Sequence, residues 1–346
     1  MGGRRGGLGR RGRSLKVVAL GTINRDTIRT PDGEVTESYG GLLYTLLALA
    51  SLWPEASVHP VCNVGEDVWE AVASLLFSLP SVGREGVRKV PCKNNHVSIT
   101  YDEEGGKEEV LEGGVPPLGW EQLEPFLDAD AFCINFISGF ELSLDTLRRL
   151  RRCASGTFFM DFHSLSLGLA PDGRRFPRRP EDWRDWVALT DVIQMNELEA
   201  ELLFGKPVTD EEGVAKFGEE VLSLGPRILC VTLGEEGSLL AERTSEGLRT
   251  ERFEAAPVEA ADTTGCGDVF LAGFAVEYLR SGDARRASEF ANLAAGLNAT
   301  LRGVEEVTNL GKLMRSKGGP WGRKGPSPGT PSGTPRPTCG RGTSGS

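Results

Sequence analysis

The chain has 346 residues, with 39 Lys or Arg against 49 Asp or Glu and a net charge near −10. Eleven of those cations lie in two acid-free ends, 1–14 and 315–346, which leaves 28 against all 49 acids and puts the intervening body near −21. An acidic body of that size argues against a nucleic-acid-binding surface on it, and no apolar run approaches the ~20 residues a spanning helix needs.

Both ends are rich in Gly, and the second also in Pro, Ser and Thr. Neither can bury enough apolar surface to offset the entropy of ordering, so 1–14 is expected to be a disordered basic arm and 315–346 a disordered tail. The arm could also touch RNA, although a charge run is more often merely solvated. Residues 15–314 remain, enough for one large domain.

In chain order, Lys16–Ile23 predicts a buried strand rather than a secretory leader, because it carries Lys16 and runs into Asn24-Arg25-Asp26 without a small-residue cleavage site. The following stretch is polar, rich in Thr and Val, and broken by Pro31-Asp32-Gly33, so a small hairpin is expected over about 27–39. Gly40-Gly41 opens a helix over Leu42–Leu52, stopped by Pro54. Ser57–Val64 predicts a strand and Glu66–Leu79 a helix. A second polar hairpin is expected within 95–112, its strands His96–Tyr101 and Lys107–Leu111 bracketing an acidic, glycine-bearing tip. Two such hairpins in an otherwise βα chain suggest a lid built from strands, of the kind that excludes water from a transferable group.

Strand and helix then alternate. Ala131–Phe136, Thr157–Asp161, Asp191–Met195 and Arg227–Leu233 predict strands, and Leu144–Cys153, a segment from about 196, and Asp210–Leu224 predict helices. A polar loop with Pro171, Pro177 and Pro180 interrupts the pattern. Two more strands, Ser238–Glu242 and Thr250–Phe253, precede helices over Gly267–Arg280 and Ala284–Ala299. Such alternation predicts a doubly wound α/β fold, a mostly parallel sheet flanked by helices, with the small β lid added.

Seven cysteines, at 62, 92, 133, 153, 230, 266 and 339, form no C-x-x-C pair. With His59, His96 and His163 they offer no metal-ligand spacing. Several lie in apolar runs, so a reducing compartment, the cytoplasm, is expected.

The richest stretch is Ala261–Phe274. Gly265, Cys266 and Gly267 sit just ahead of Asp268, which opens an apolar run with helical spacing. Glycines admit close backbone approach, and a helix N-terminus supplies unsatisfied donors and a positive dipole end, so the place suits a phosphate. Asp268 could accept a proton from an attacking hydroxyl; it could equally be a first-turn acid on a tight turn. No G-x-x-x-x-G-K-[ST], H-R-D, D-F-G or G-x-S-x-G occurs, so any anion site must rest on backbone amides. Asn196 and Glu199, three apart at a helix start, could hold a hydrated Mg²⁺ or form a capping box. Thr232 and Gly234, with Gly237 beyond, end a strand on the same sheet edge, either as a nucleotide support or as an ordinary turn. Asn24 and Asp26 end the first strand, where ligands of open α/β sheets bind. Asp26 could accept sugar hydroxyls or cap local amides.

Taken together and in order, GTINRD at 21–26, GG at 40–41, VGED at 64–67, NELEAELLFG at 196–205, VTLGEEGS at 231–238 and DTTGCGD at 262–268 resemble the ribokinase-like (PfkB) carbohydrate kinase family over about residues 16–310. FANLAAG at 290–296, with Asn292, looks like that family's helix beside the adenine. The resemblance implies transfer of the ATP γ-phosphoryl group to a hydroxyl of a sugar or nucleoside. On it, Asp268 is the base and the amides of Gly265, Cys266 and Gly267 form an anion hole. Asn196 and Glu199 organise Mg²⁺ and phosphate. Thr232, Gly234, Gly237 and Asn292 line the nucleotide site, while Asn24, Asp26, Gly40 and Gly41 meet the acceptor. Asp262 and Thr264 match positions that bind a monovalent cation such as K⁺ in some members. The lid hairpins could pair between subunits in a homodimer.

Three departures stand out. Cys266 replaces the usual alanine, and a thiol near an electropositive helix start is expected to favour its thiolate. Thr45 replaces the asparagine expected to contact the sugar. His163 follows Asp161 where Asp-Pro-Asn is usual. Arg25 is the one basic residue that can be placed beside Asp26, which favours an uncharged acceptor over a sugar phosphate. The competing function is a ligand-binding or regulatory protein that kept the fold and lost catalysis; retention of Asp268 and of the 196/199 pair argues against it.

Overall fold

A computed structural model describes residues 14–104 and 106–317. The basic arm and nearly all of the tail lie outside the described residues. The strands, in chain order, are β1 (Lys16–Leu20), β2 (Ile23–Arg29), β3 (Val35–Gly41), β4 (Ser57–Gly65), β5 (Val87–Val90), β6 (His96–Tyr101), β7 (Lys107–Glu112), β8 (Ala131–Asn135), β9 (Thr157–Asp161), β10 (Leu167–Leu169), β11 (Arg175–Pro177), β12 (Val192–Asn196), β13 (Ile228–Thr232), β14 (Ser238–Thr244) and β15 (Gly247–Phe253). The helices are α1 (Leu42–Leu52), α2 (Trp69–Leu76), α3 (Trp120–Leu123), α4 (Leu144–Cys153), α5 (Trp183–Val187), α6 (Glu197–Phe204), α7 (Glu211–Leu224), α8 (Cys266–Ser281), α9 (Ala284–Asn298) and α10 (Leu310–Ser316).

Nine strands make the main sheet, in the order β15-β14-β13-β12-β9-β8-β1-β4-β5. From β5 to β13 every pairing is parallel, and only β14 and β15 add antiparallel. Side chains alternate across the pleat, so each central strand feeds two cores. Val17 and Ala19 join one apolar cluster with α1, α8 and α9, while Val18 and Leu20 join the other, with α4 and α7. Both faces are covered, as a mostly parallel sheet requires.

β2, β3, β6 and β7 form a separate four-stranded sheet in the order β3-β2-β6-β7. This is the expected lid, but it begins at Ile23 rather than near 27, so Asn24 and Asp26 lie within a lid strand and not at the end of the first main-sheet strand. It is tied to the main sheet at its root: the Asn94 carboxamide accepts from Gly65 N–H (3.0 Å) and donates to Ile23 O (2.8 Å). The Asp67 carboxylate accepts from Asn94 N–H (2.9 Å). The helix predicted over 66–79 is shorter at both ends, Trp69–Leu76, with residues 66–68 in the turn that carries Asp67.

Other differences are local. β5 escapes the hydrophobic pattern because Arg88 and Lys89 are exposed in an edge strand. The proline-bearing loop contains the β10–β11 hairpin and α5. At the C-terminal side α10 runs to Ser316, two residues past the predicted domain edge. No helix among the described residues is long and apolar enough to cross a membrane.

Candidate active site

Parallel register assembles the floor of the site. Asn135 pairs with Asp161, and Asp161 with Gln194, so three polar side chains stand in one row at the carboxyl ends of β8, β9 and β12. Asn196 pairs with Thr232, and Thr232 with Ser238, in the neighbouring row. The N-terminus of α8 is fastened over this floor. Asn135 Nδ2 donates to Asp268 Oδ1 (3.0 Å), and Gln194 Nε2 donates to Gly267 O (3.0 Å). Asn135 and Gln194 were not singled out from the sequence; only sheet register brings them under α8.

Gly265 is the N-cap of α8, with φ +72°, and a Cβ there would collide with the Tyr44 ring. Glycine is therefore required both for backbone conformation and for space. The first bond of the helix runs from Val269 N–H to Gly265 O (2.9 Å), which leaves the N–H groups of Gly267 and Asp268 without intrahelical acceptors. Cys266 N–H differs: it donates to Thr263 O (3.2 Å) and so closes the turn. Asp262 Oδ1 accepts from Thr264 N–H (2.9 Å) in the same turn.

The expected activation of the Cys266 thiol is not seen. Burial pushes its pKa up despite the helix start, and Sγ lies against Ala295 O (3.4 Å) and Asn298 Nδ2 (3.5 Å). Desolvation disfavours the thiolate, and the nearby charges of Asp262 and Asp268 add to it, against the Asn298 contact that favours it.

Asp268 is raised to about 6 by desolvation, against the pull of His163, Asn135 and Thr45 on its charged form. Thr45 Oγ1 is buried without a formed hydrogen bond, yet its side chain is close enough to favour that charge. On the lid side Asp26 is buried and raised to about 7, by desolvation first and then by the charges of Glu109 and Asp268. A Cβ on Gly40 would strike the Asp26 carboxylate, and one on Gly41 (φ +63°) would strike Thr22 O and Ile137. Asn24 is buried beside Gly40 in the lid ladder, and its Oδ1 has no partner. Tyr44 is buried between the two groups: burial, then the charges of Asp262, Asp26 and Asp268, push its phenol up. The structure thus brings Asn24, Asp26, Gly40, Gly41, Thr45 and Asp268 together between the lid and the N-terminus of α8.

Asn196 and Glu199 form the full capping box. Asn196 N–H donates to Glu199 Oε2 (3.0 Å), Asn196 Nδ2 to Oε1 (2.8 Å), and Glu199 N–H to Asn196 Oδ1 (2.9 Å). His163 completes the cluster, its Nδ1 lying 3.1 Å from Glu199 Oε1. Its φ of +23° is unusual for a residue with a Cβ. Burial opposes the imidazolium, but Glu199, Asp161 and Asp268 outweigh it and raise the pKa; the ring is 47% exposed, so water screens part of that attraction. Asp161 is pushed up by desolvation and by the neighbouring carboxylates.

On the far side, Gly234 (φ +59°) and Gly237 (φ +95°) shape the turn after Thr232. Gly237 lies so close to residues 253–255 that a Cβ would overlap their backbone. Asn292 Nδ2 donates to Ser238 Oγ (2.8 Å), fastening α9 to β14. Asn292 also lines a cleft of about 320 Å³ with Phe253, Ala256, Pro257 and Leu293. Thr232, Gly237 and Asn292 therefore share one end of the sheet edge, with Asp268 and Asp26 at the other.

A family model described as pfkB family carbohydrate kinase matches residues 170–309. The ribokinase of Staphylococcus aureus (strain COL) is 34% identical over 310 residues, covering 84% of this chain and 95% of the relative. The cytidine kinase of Thermococcus kodakarensis is 27% identical over 271 residues, covering 77% and 89%. Among solved structures, a ribokinase from Giardia lamblia shares the fold with a TM-score of 0.69 at 21% identity, covering 88% of this chain and 99% of the other.

Proposed function

The chain belongs to the pfkB family of carbohydrate kinases, phosphotransferases with an alcohol acceptor, and from that premise we propose that it moves the γ-phosphoryl group of ATP to a hydroxyl of a sugar or nucleoside. The observation that carries the reading is Asp268, held by Asn135 in the first turn of α8 beside two amides without intrahelical acceptors, with Asp26 of the lid within electrostatic reach.

In this reading Asp26 and Asn24 orient the acceptor, and Asp268 receives the proton of the attacking hydroxyl. Phosphoryl transfer has a loose transition state, so positioning and charge stabilisation dominate and the proton can move late. A carboxylate near 6 is mostly ionised at neutral pH and more basic than an exposed one, which suits that task. The amides of Gly267 and Asp268, with Gly265 shaping the turn, receive the negative charge of the transferred group. Cys266 contributes through packing and the turn. Thr232, Gly234, Gly237 and Asn292 border the nucleotide, with adenine in the cleft beside Asn292.

Asn196 and Glu199 already engage one another, so they fit Mg²⁺ best through its retained waters. Asp161 is within electrostatic reach of Glu199 and Asp268, and His163 already offsets part of their charge. Bound there, Mg²⁺ would neutralise phosphate charge. Asp262 and Thr264 are the candidates for a monovalent-cation site. We also place the protein in the cytoplasm, with pairing through the lid as its route to a homodimer.

The test is ADP release from ATP and Mg²⁺ across a panel of sugars, sugar phosphates and nucleosides. Acceptor-dependent ADP release with a phosphorylated product supports the reading; ATP binding without product from any acceptor overturns it.

A further inference from the structure

Arg175 begins β11, in the hairpin that interrupts the βα alternation. That hairpin is docked on the lid: Leu111 N–H donates to Gly173 O (2.9 Å), and Val110 forms a bridge with Arg174. The backbone before Arg175 is thereby pinned to β7. Arg174, its neighbour, is exposed and pairs with Asp172 at 2.7 Å. Arg175 is the opposite. Its Nε, Nη1 and Nη2 are all buried, and none has a hydrogen-bond partner. A guanidinium offers five N–H donors and keeps its charge, so burying it unpaired is costly.

Two acids are within electrostatic reach, Glu109 and Glu141. Both are engaged elsewhere. Glu141 Oε1 accepts from Thr22 Oγ1 (3.0 Å) and Ser138 N–H (2.5 Å), and Oε2 accepts from Gly139 N–H (3.0 Å). Glu109 pairs with Lys107 at 3.0 Å. Glu141 accepts from Thr22, whose carbonyl oxygen lies against Gly41, and Ile137, which also lies against Gly41, precedes Gly139 by two residues; the guanidinium is therefore on the Gly41 side of the site. Gly139, with φ +84°, lies beside it: a Cβ there would come within 3.8 Å of Nη2. Arg25, the one cation that the sequence placed near Asp26, pairs with Glu37 at 2.8 Å on the exposed side of the lid.

We propose that Arg175 is a specificity-determining residue that binds an oxyanion on the acceptor, a phosphate monoester or a carboxylate, while the acceptor's hydroxyl lies toward Asp26 and Asp268. The planar fork of a guanidinium matches such a group in a bidentate way, as a lysine does not. This rests on the kinase reading and narrows it: the acceptor is a sugar phosphate or a sugar acid, and the sequence-based preference for an uncharged acceptor is reversed.

The experiment compares ribose with ribose 5-phosphate, fructose with fructose 6-phosphate, and glucose with gluconate, in the wild type, Arg175→Gln and Arg175→Lys. Binding is read by titration calorimetry without nucleotide, and turnover by ADP release. The wild type should bind at least one anionic member about 10–100-fold more tightly than its neutral partner, the range expected of a charge-assisted pair. Arg175→Gln should erase that preference, chiefly through KM and with ATP affinity unchanged; Arg175→Lys should restore part of it. The phosphate and carboxylate pairs tell the two oxyanions apart. Equal binding of anionic and neutral members by the wild type, or a preference that survives Arg175→Gln, overturns the proposal. Because binding is scored apart from turnover, a protein that binds the anion by Arg175 but phosphorylates nothing refutes the kinase reading instead.

Discussion

Asp268→Asn should separate catalysis from stability, with opposite signs. The carboxylate is raised from an ordinary 3.8 to about 6, with desolvation the main cause. Its native pKa therefore exceeds its unfolded one. The native state binds the proton more tightly, so the group's contribution falls as pH rises from about 4 to about 6 and stays low above that. Two units correspond to roughly 3 kcal/mol at the conversion of ~1.4 per unit. The residue is only partly buried by surface area, so solvent screening brings the expectation to about 1–3 kcal/mol. Asn keeps the shape and can still accept from Asn135 Nδ2. The variant should thus gain about 1–3 kcal/mol at pH 8 and almost nothing at pH 4, in urea unfolding at both pH values. Phosphoryl transfer should meanwhile fall by about 10²–10⁴-fold, the usual contribution of a positioned base, with ATP affinity nearly unchanged. Equal stability changes at pH 4 and pH 8 would refute the electrostatic reasoning, and undiminished turnover would refute the base assignment.

The other predictions test neighbouring features. Gly265→Ala should destabilise the fold by about 1–3 kcal/mol and abolish activity, because its φ of +72° and the Tyr44 ring both exclude a Cβ; a soluble, fully active variant would contradict this. Cys266 should react slowly with iodoacetamide at pH 7.5 and faster only in alkali, since burial raises its thiol; rapid labelling at neutral pH, read by peptide mass mapping, would show an activated thiolate instead. His163→Asn removes the cation that lowers Asp268, so the acidic limb of the kcat profile should move toward higher pH; an unmoved limb would mean that the imidazole is neutral or fully screened.

Much of this arrangement is legible in the linear chain. The buried strands at Thr157–Asp161 and Arg227–Leu233 are short apolar runs that end in polar residues, and the sheet uses them almost residue for residue. The lid is legible because its strands are polar on one face and joined by turn residues. The glycines of 262–268 and the 196/199 pair carry local chemistry in adjacent positions. What stayed hidden needs register or tertiary approach. Asn135 ends an apolar strand like any other, and becomes a partner of Asp268 only when β8 pairs with β9. Gln194 is an unremarked polar residue in a core strand until α8 is laid over it. Tyr44 reads as a helical core aromatic, yet Gly265 must be glycine because of it. Arg175 sits in Arg174–Pro180, a basic run in which no arginine differs from the next by sequence. The Cys266 expectation failed for a related reason: a helix start is visible in sequence, but the burial that opposes it is not.

The incompletely compensated charges of the site lie apart by sign. Asp26, Asp161 and Asp268 are each raised by burial, and this outweighs the His163 imidazolium, which favours the charged forms of the last two. Arg175 is short of negative partners. A fold selected for stability alone would let these groups neutralise one another, and Glu109 and Glu141 are near enough to Arg175 to do so. Instead Glu141 is bound by Thr22, Ser138 and Gly139, and Glu109 by Lys107. Keeping a guanidinium and a set of carboxylates buried and separate costs stability, as buried polar groups without partners always do. That cost is offset only when a bound molecule supplies both missing partners, an anion at one end and a hydroxyl proton at the other. An acceptor with one of these and not the other would leave part of the strain in place, which is why discrimination between charged and neutral sugars should exceed the contribution of a single exposed ion pair.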